Sequence, residues 1–198
     1  MRTTLFMYFL IVFSCTSLYS QVKIGNQTWT PSNLNVLTFQ NGETIFAAKS
    51  EDEWRTAGFE KKPALFKTAS GEVFYNWYAV FDTRTISPKG WHVPSLEEFQ
   101  ELVAFLGGID VAGKKLKSTT DWEKEGNGTD DFGFAAKPFG QVAFMGNQIQ
   151  TGSYGYWWTK SEVSMKEAKY VSLFWNFDGI QIGNYNKQVG LSIRCIKD

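Results

Sequence analysis

His92 is the one histidine of the chain, so chemistry that depends on imidazole has a single candidate. It could act as a lone general base, but no second imidazole exists to share a metal, and a Ser-His-Asp arrangement would have to be built around this one ring. Its setting, Gly90-Trp91-His92-Val93-Pro94, reads better as a packed segment that positions the helix after it. Cys195 is the thiol candidate. It alternates with Leu191 and Ile193 in an apolar stretch, where burial raises a thiol's pKa and suppresses the reactive thiolate, so a free, buried, slowly reacting thiol is expected. Glu97, Glu98, Asp130 and Asp131 are the carboxylates a hydrolase could use. The first two fall in the opening turn of a predicted helix, where acidic residues are favoured by the helix dipole. No catalytic residue is assigned.

Asn127-Gly128-Thr129-Asp130-Asp131 clusters oxygen donors in a glycine loop, the ligand type that calcium prefers. It lacks the periodic ligand pattern of an EF-hand, and a polar turn explains it better, so neither a metal nor another cofactor is expected. The remaining chemistry is aromatic: 17 Phe, 8 Trp and 8 Tyr. Trp157, Trp158 and Trp175 could stack on sugar rings or on a partner's side chains. Strand alternation puts Trp157 and Trp158 on opposite faces, so one at most is expected in the main core unless a loop covers the other. Between Trp175 and Lys187, polar side chains gather beside aromatics, which suits recognition. Asn176, Asp178, Gln181, Asn184 and Tyr185 are therefore the candidate ligand-binding residues. Alanine at Asn184 and Tyr185 is expected to weaken binding with little effect on stability.

These residues need a scaffold. The first segment carries Arg2, then the unbroken apolar run Leu5 to Phe13, then small and polar residues ending at Ser20. That order is the pattern of a secretory signal peptide, with cleavage expected after Ser20 and a single domain over 21–198. The run is shorter than the roughly 20 apolar residues a membrane helix needs. A lipid anchor at Cys15 is the weaker alternative, because Phe13 is bulky where a lipoprotein cleavage box wants a small residue. Removing residues 1–20 takes Arg2 away and leaves a net charge of −1. With no basic stripe, nucleic acid is a poor partner. The mature part also keeps one cysteine, which leaves no internal disulfide even though export permits one.

Short apolar stretches separated by glycines, with a few helices, read as α+β: short antiparallel sheets and about two main helices. Gly25-Asn26 predicts a hairpin between Val22–Ile24 and Gln27–Trp29, and 34–39 a further strand before the Asn41-Gly42 turn. Ser50 with Glu53, and Ser95 with Glu98, predict capping boxes. Trp54 should face the core of the first helix and Gly58 should end it. Phe99, Leu102, Val103 and Leu106 form the apolar stripe of the second, closed by Gly107-Gly108. Towards the end, 156–160, 169–177, 180–185 and 190–197 predict an antiparallel sheet with a two-residue Asp178-Gly179 hairpin turn.

Several stretches then carry a resemblance. Gly71-Glu72-Val73-Phe74-Tyr75-Asn76-Trp77-Tyr78-Ala79-Val80, Pro88-Lys89-Gly90-Trp91-His92-Val93-Pro94-Ser95, Ala112-Gly113-Lys114-Lys115-Leu116-Lys117 and Tyr156-Trp157-Trp158-Thr159 resemble the Fibrobacter succinogenes major paralogous domain. Gly133-Phe134-Ala135-Ala136, Leu191-Ser192-Ile193-Arg194-Cys195 and the opening 22–29 segment do so too, in the same order. The resemblance implies an exported or surface-associated bacterial protein and a C-type-lectin-like fold related to the formylglycine-generating branch. It brings no established activity. It also implies a cysteine just before the Pro-x-Gly-Trp segment as a candidate partner for Cys195. This chain has Ser87 there, so the cysteine pair on which formylglycine chemistry relies is missing. The calcium-lectin tripeptides Glu-Pro-Asn and Gln-Pro-Asp are missing as well. The implied role is a non-catalytic module that binds a glycan or a protein. The alternatives are a carboxylate-based hydrolase and a structural envelope component.

Overall fold

The computed structural model describes residues 21–198. The expected signal peptide, its cleavage after Ser20 and the alternative anchor at Cys15 lie outside the described residues. In chain order the elements are β1 (Val22–Ile24), β2 (Gln27–Trp29), β3 (Phe46–Ala48), α1 (Glu51–Phe59), β4 (Ala64–Lys67), β5 (Val73–Tyr75), α2 (Trp77–Val80), β6 (Trp91–His92) and α3 (Leu96–Phe105). Then come α4 (Ala112–Leu116), β7 (Gln141–Val142), β8 (Gln148–Ile149), β9 (Tyr154–Glu162), β10 (Glu167–Phe174), β11 (Gln181–Asn186) and β12 (Ile196–Lys197). The class is α+β, with α1 and α3 the two longer helices. The strands form sheets in the orders β1-β2-β12-β6, β11-β10-β9, β3-β4-β5 and β7-β8. Pairing is antiparallel except for β3 beside β4, a departure from the purely antiparallel expectation. It is possible because α1 makes the crossover between those two strands.

The local signals explain most elements. Gly25 turns the β1–β2 hairpin at φ +60° and also lies against the Phe105 ring, which a Cβ would approach to 2.9 Å. In α3 the capping box is complete: Ser95 Oγ accepts from Glu98 N at 3.2 Å, and Glu98 Oε2 accepts from Ser95 N at 2.7 Å. Phe99, Leu102, Val103 and Leu106 are buried. In α1, Ser50 caps Glu53 N, but the Glu53 carboxylate accepts from Lys49 N instead of closing the box on Ser50. Gly58 does not end that helix. It packs on Gln188, and the left-handed position falls to Lys61 at φ +55°, with Lys62 N donating to Ala57 O.

Three other expectations are corrected. The 34–39 segment is not a continuous strand: Thr38 makes a single antiparallel bridge to Thr44 across the Asn41-Gly42 turn, and the first half bonds to tertiary partners. Leu34 N donates to Ile193 O, and the Tyr75 hydroxyl holds Val36 through both its N–H and its carbonyl at 2.8 Å. The segment 190–197 is not one strand either. β12 holds its end, while Gly190, Leu191 and Ser192 make single bridges to Val142, Tyr75 and Trp157. Asp178-Gly179 does not form a two-residue turn: the last β10–β11 pair is Ser172 with Gln181, and 175–180 is a longer connection. Lys117, with no exposed surface, donates from Nζ to the carbonyls of Phe174, Trp175 and Phe177 at 3.1–3.5 Å. Phe174 O accepts from Phe177 N as well, so the connection is pinned both locally and by the lysine. Gly179 serves close packing there, since a Cβ on Gly113 would lie 2.0 Å from Gly179 O.

The β11-β10-β9 sheet is sandwiched. Trp158, Tyr156 and Ala168 face one core with Tyr75, Trp77, Leu191, Ile193 and Cys195. Trp157, Val171 and Leu173 face a second with Trp29, Phe99, Leu102 and Phe134. Trp157 and Trp158 therefore point to opposite faces, as expected, and both are buried because each face has a core of its own. A third cluster gathers on Trp54, Phe74 and Val142. Five tryptophans are among the fully buried side chains. Each such ring buries about 150–250 Å², worth up to about 4–6 kcal/mol at about 25 cal/mol per Å². That explains how a domain with one free, buried cysteine is held without a disulfide.

Candidate functional site

His92 is held from both sides. Its Nδ1 lies 2.6 Å from Asp198 Oδ1 and its Nε2 lies 2.8 Å from Glu98 Oε1. Burial works against the imidazolium, but the hydrogen bonds to Asp198 and Glu98 outweigh it and raise the pKa. With both ring nitrogens occupied, no lone pair is left to take a proton from a substrate. The Glu98 carboxylate is simultaneously the capping-box acceptor of α3, so the histidine ties β6 to the start of the helix.

The glycine loop is occupied by its own backbone. Asn127 Oδ1 accepts from Trp122 N at 3.1 Å and Asp130 Oδ1 from Ala135 N at 2.7 Å. No group of three or more His, Cys, Asp or Glu side chains stands in a metal-binding arrangement among the described residues. The two fully buried cations, Lys117 and Arg194, are likewise spent on carbonyls and amides. Arg194 donates from Nε to Asn33 Oδ1 and from Nη1 to Thr30 O, both at 2.8 Å, and its guanidinium sits 4.3 Å from the Phe134 ring centre. Burial lowers its pKa to about 9, with Asp130 opposing. The Cys195 thiol is pushed up to about 12 by burial.

A tyrosine-rich stripe lies on the other side of the sheet from Val171 and Leu173. Strand alternation puts Tyr154, Tyr156 and Trp158 of β9 and Tyr170, Ser172 and Phe174 of β10 on one face. Tyr154 pairs with Phe174 and Tyr156 with Ser172. Ring contacts run without a break from Phe177 to Phe174 (5.1 Å), Tyr154 (5.5 Å), Tyr156 (5.5 Å), Tyr170 (5.8 Å) and Tyr185 (5.1 Å). All but Tyr156 are partly exposed. Gly183 stands opposite Tyr170, and a Cβ there would meet that ring at 2.7 Å. The glycine therefore lets Tyr170 lie across β11.

Amides border the stripe. Gln141 Nε2 donates to Tyr185 Oη at 2.7 Å and to Gln150 Oε1 at 2.9 Å, and Tyr156 Oη donates to the same Gln150 oxygen. Two buried polar atoms here have no partner, Gln141 Oε1 and Ser172 Oγ. Burial first, then Tyr185 and neighbouring phenols, raises the pKa of Tyr156; burial and Tyr185 do the same for Tyr170. Both phenols stay protonated at neutral pH and can donate. No Lys, Arg, Asp or Glu joins these ring contacts and hydrogen bonds among the described residues. Such a face offers neutral donors, acceptors and aromatic contact.

The Fibrobacter succinogenes major domain model matches residues 22–197. The chain belongs to that family. No curated protein and no solved structure matches it. The match spans the closing segment and every element named above, so the tyrosine stripe sits inside the family domain.

Of the five residues expected to bind a ligand, this Fibrobacter-type domain gathers two on the stripe. Gln181, exposed, is paired with Ser172, and Tyr185 is half-buried at the far end. Asn184 points to the opposite face, between them in sequence. Asn176 and Asp178 are exposed in the 175–180 connection, where Lys114 Nζ approaches Asp178 to 3.9 Å. Because Tyr185 packs on Tyr170 and Tyr156, alanine there is expected to cost stability, contrary to the sequence-based expectation. Sequence reasoning missed Tyr154, Tyr156, Tyr170, Ser172, Gln141 and Gln150. The first four carry a readable signal, the period-two spacing of 154/156 and 170/172/174. The two glutamines come from β7 and the β8 end, and nothing in sequence joins those to β9.

Proposed function

We propose that this chain is an exported, non-catalytic binding or surface-interaction module of C-type-lectin-like architecture, taking a glycan or a protein through the tyrosine stripe of β9, β10 and β11. The observation that carries the reading is the unbroken series of ring contacts, partly exposed at every ring but Tyr156, bordered by Gln141, Gln150 and Gln181. Tyrosine gives large contact area at little conformational cost and keeps a hydroxyl for specificity. The unpartnered Gln141 Oε1 and Ser172 Oγ support it further, since buried polar groups ordinarily find a partner. Export is part of the proposal and rests on the N-terminal pattern. It is a secreted, periplasmic or cell-surface protein.

A glycan array and a pull-down from envelope extract, both with the exported protein, test this reading. Gln181→Ala, at an exposed position, should weaken capture of the ligand found while melting stays within a few degrees. Tyr154→Ser and Gln150→Ala should weaken it too, with a cost in stability from the lost ring contacts and hydrogen bonds. Capture that survives all three substitutions in a folded protein would remove the stripe as the site. Turnover of a captured ligand would remove the non-catalytic reading.

A further inference from the structure

A second site lies away from the stripe, where α2 meets the tip of the β9–β10 hairpin. A cavity of about 380 Å³ opens there between Lys61, Pro63, Trp77, Tyr78, Phe81 and Met165, within the size range of ligand clefts, about 300–1,000 Å³. Trp77 and Phe81 stack with centroids 4.8 Å apart at 14° and form its wall. Trp77 is anchored from behind by its Nε1 donating to Thr159 O at 3.0 Å. Lys187, 3% exposed, places its ammonium 4.4 Å from the Trp77 ring centre and pairs with Glu162.

The rim is apolar and held out to solvent. Phe81 is 53% exposed and Met165 82%, the highest value among the exposed large hydrophobics; Phe59 and Val163, two residues from Lys61 and Met165 in the chain, are exposed as well. Met165 is not on a loose end. Val163 N and Ser164 N both donate to Glu167 O, and Ser164 Oγ accepts from Lys166 N and Glu167 N, so the turn is tied on both sides. Aromatic residues and methionine in a cavity with an exposed apolar rim are the composition of a protein-interaction surface.

Charge selects the occupant. Both carboxylates that line the cavity are neutralised: Asp82 by Arg84 at 2.7 Å and Glu162 by Lys187. Lys61, exposed at the rim, is the lining charge without an opposite partner among the described residues. We infer that this cavity takes a large apolar side chain of a partner protein, carried on a segment whose neighbouring residue is acidic and meets Lys61.

The test uses the full exported chain with methionine methyls labelled with carbon-13, the Met165 signal being assigned by Met165→Leu. The probes are pentapeptides with a central Leu, Phe, Trp or Met, flanked either by Asp or by Lys. An Asp-flanked peptide should move the Met165 methyl and leave Met145 in place, and its Lys-flanked twin should bind about tenfold more weakly. Phe81→Ser should weaken the Asp-flanked peptide about tenfold, the loss of one apolar anchor, and Lys61→Glu should reverse the charge preference. Both substitutions are at exposed positions. If Phe81→Ser lowers the melting temperature, Lys61→Glu alone decides. No Met165 shift with any Asp-flanked peptide, equal binding of the twins, or an unchanged preference in Lys61→Glu overturns the inference. The site is independent of the tyrosine stripe: a ligand held there leaves the Met165 methyl unmoved.

Discussion

His92 and Cys195 show how neighbours decide what a reactive residue type becomes. The His92 pKa is raised in the folded protein: burial opposes the charge, and the hydrogen bonds to Asp198 and Glu98 prevail. The folded state therefore binds the proton more tightly than the unfolded chain, whose imidazole titrates near about 6.5. The resulting stability is fully present below that value and is lost as pH rises through the higher folded pKa. Melting temperature should fall as pH rises above about 6.5, and His92→Gln should flatten that part of the profile. An unchanged slope in the variant would mean that the two carboxylates do not hold the ring in solution. Cys195 goes the other way. With its thiol pKa at about 12 and no exposed surface, it should react slowly with a maleimide in the native protein and completely after denaturation. Fast native labelling, or a disulfide-linked dimer on a non-reducing gel, would contradict the burial.

At the scale of elements, α4 is worth more than its length. It is too short to be stable alone, yet it delivers Lys117 to three carbonyls of the 174–177 segment and sets Gly113 against Gly179. Those contacts turn what the sequence presents as a tight hairpin into a longer, pinned connection, and they place Phe174 and Phe177 at the end of the tyrosine stripe. Lys117→Met keeps the length of the side chain and removes the donors. Phe174 O keeps its bond from Phe177 N, but Trp175 O and Phe177 O lose their partner, which should cost about 1–3 kcal/mol, read by urea denaturation. Amide exchange in 175–180 should also become faster than in β9. A variant as stable as the parent would show that water can replace the ammonium there. The tyrosine face has the same logic in reverse: two strands supply it by simple alternation, and β7 and β8 complete it with amides from elsewhere in the chain.

At the scale of the whole molecule, two aromatic clusters share the β11-β10-β9 sheet as a partition and a third gathers around Trp54 and Phe74. The five fully buried tryptophans supply by apolar burial the stabilisation that other small domains gain from cross-links. Export itself is open to a direct measurement. The mass of the protein recovered outside the cytoplasm should match 21–198, or that mass less ammonia if Gln21 cyclises. A diacylglyceryl adduct on Cys15 would instead make it a lipid-anchored protein. No helix among the described residues is long and apolar enough to cross a membrane. Calcium and a chelator should leave the melting temperature equal, because Asn127 and Asp130 already accept backbone hydrogen bonds. A rise of several degrees in calcium would reveal a ligand bound to the native state alone.

Local chemistry was legible in the sequence. The Ser95–Glu98 box, the Phe99–Leu106 stripe, the Gly25 hairpin and the opposite facing of Trp157 and Trp158 each depend on residues within one or two turns of one another, and each stands in the structure as read. The family was legible too, because its motifs are contiguous. What only the tertiary structure decided are the features that depend on partners far along the chain. The 34–39 segment has the composition of a strand but hydrogen-bonds to Tyr75 and Ile193. Asp178-Gly179 has the composition of a two-residue turn but is opened by a lysine some 60 residues earlier. Trp157 and Trp158 are both buried because a second core closes over the sheet, and no pattern within β9 reports what lies across from either face. The placing of Gln141 and Gln150 beside Tyr156 and Tyr185, which makes the stripe a candidate site, is decided by packing alone.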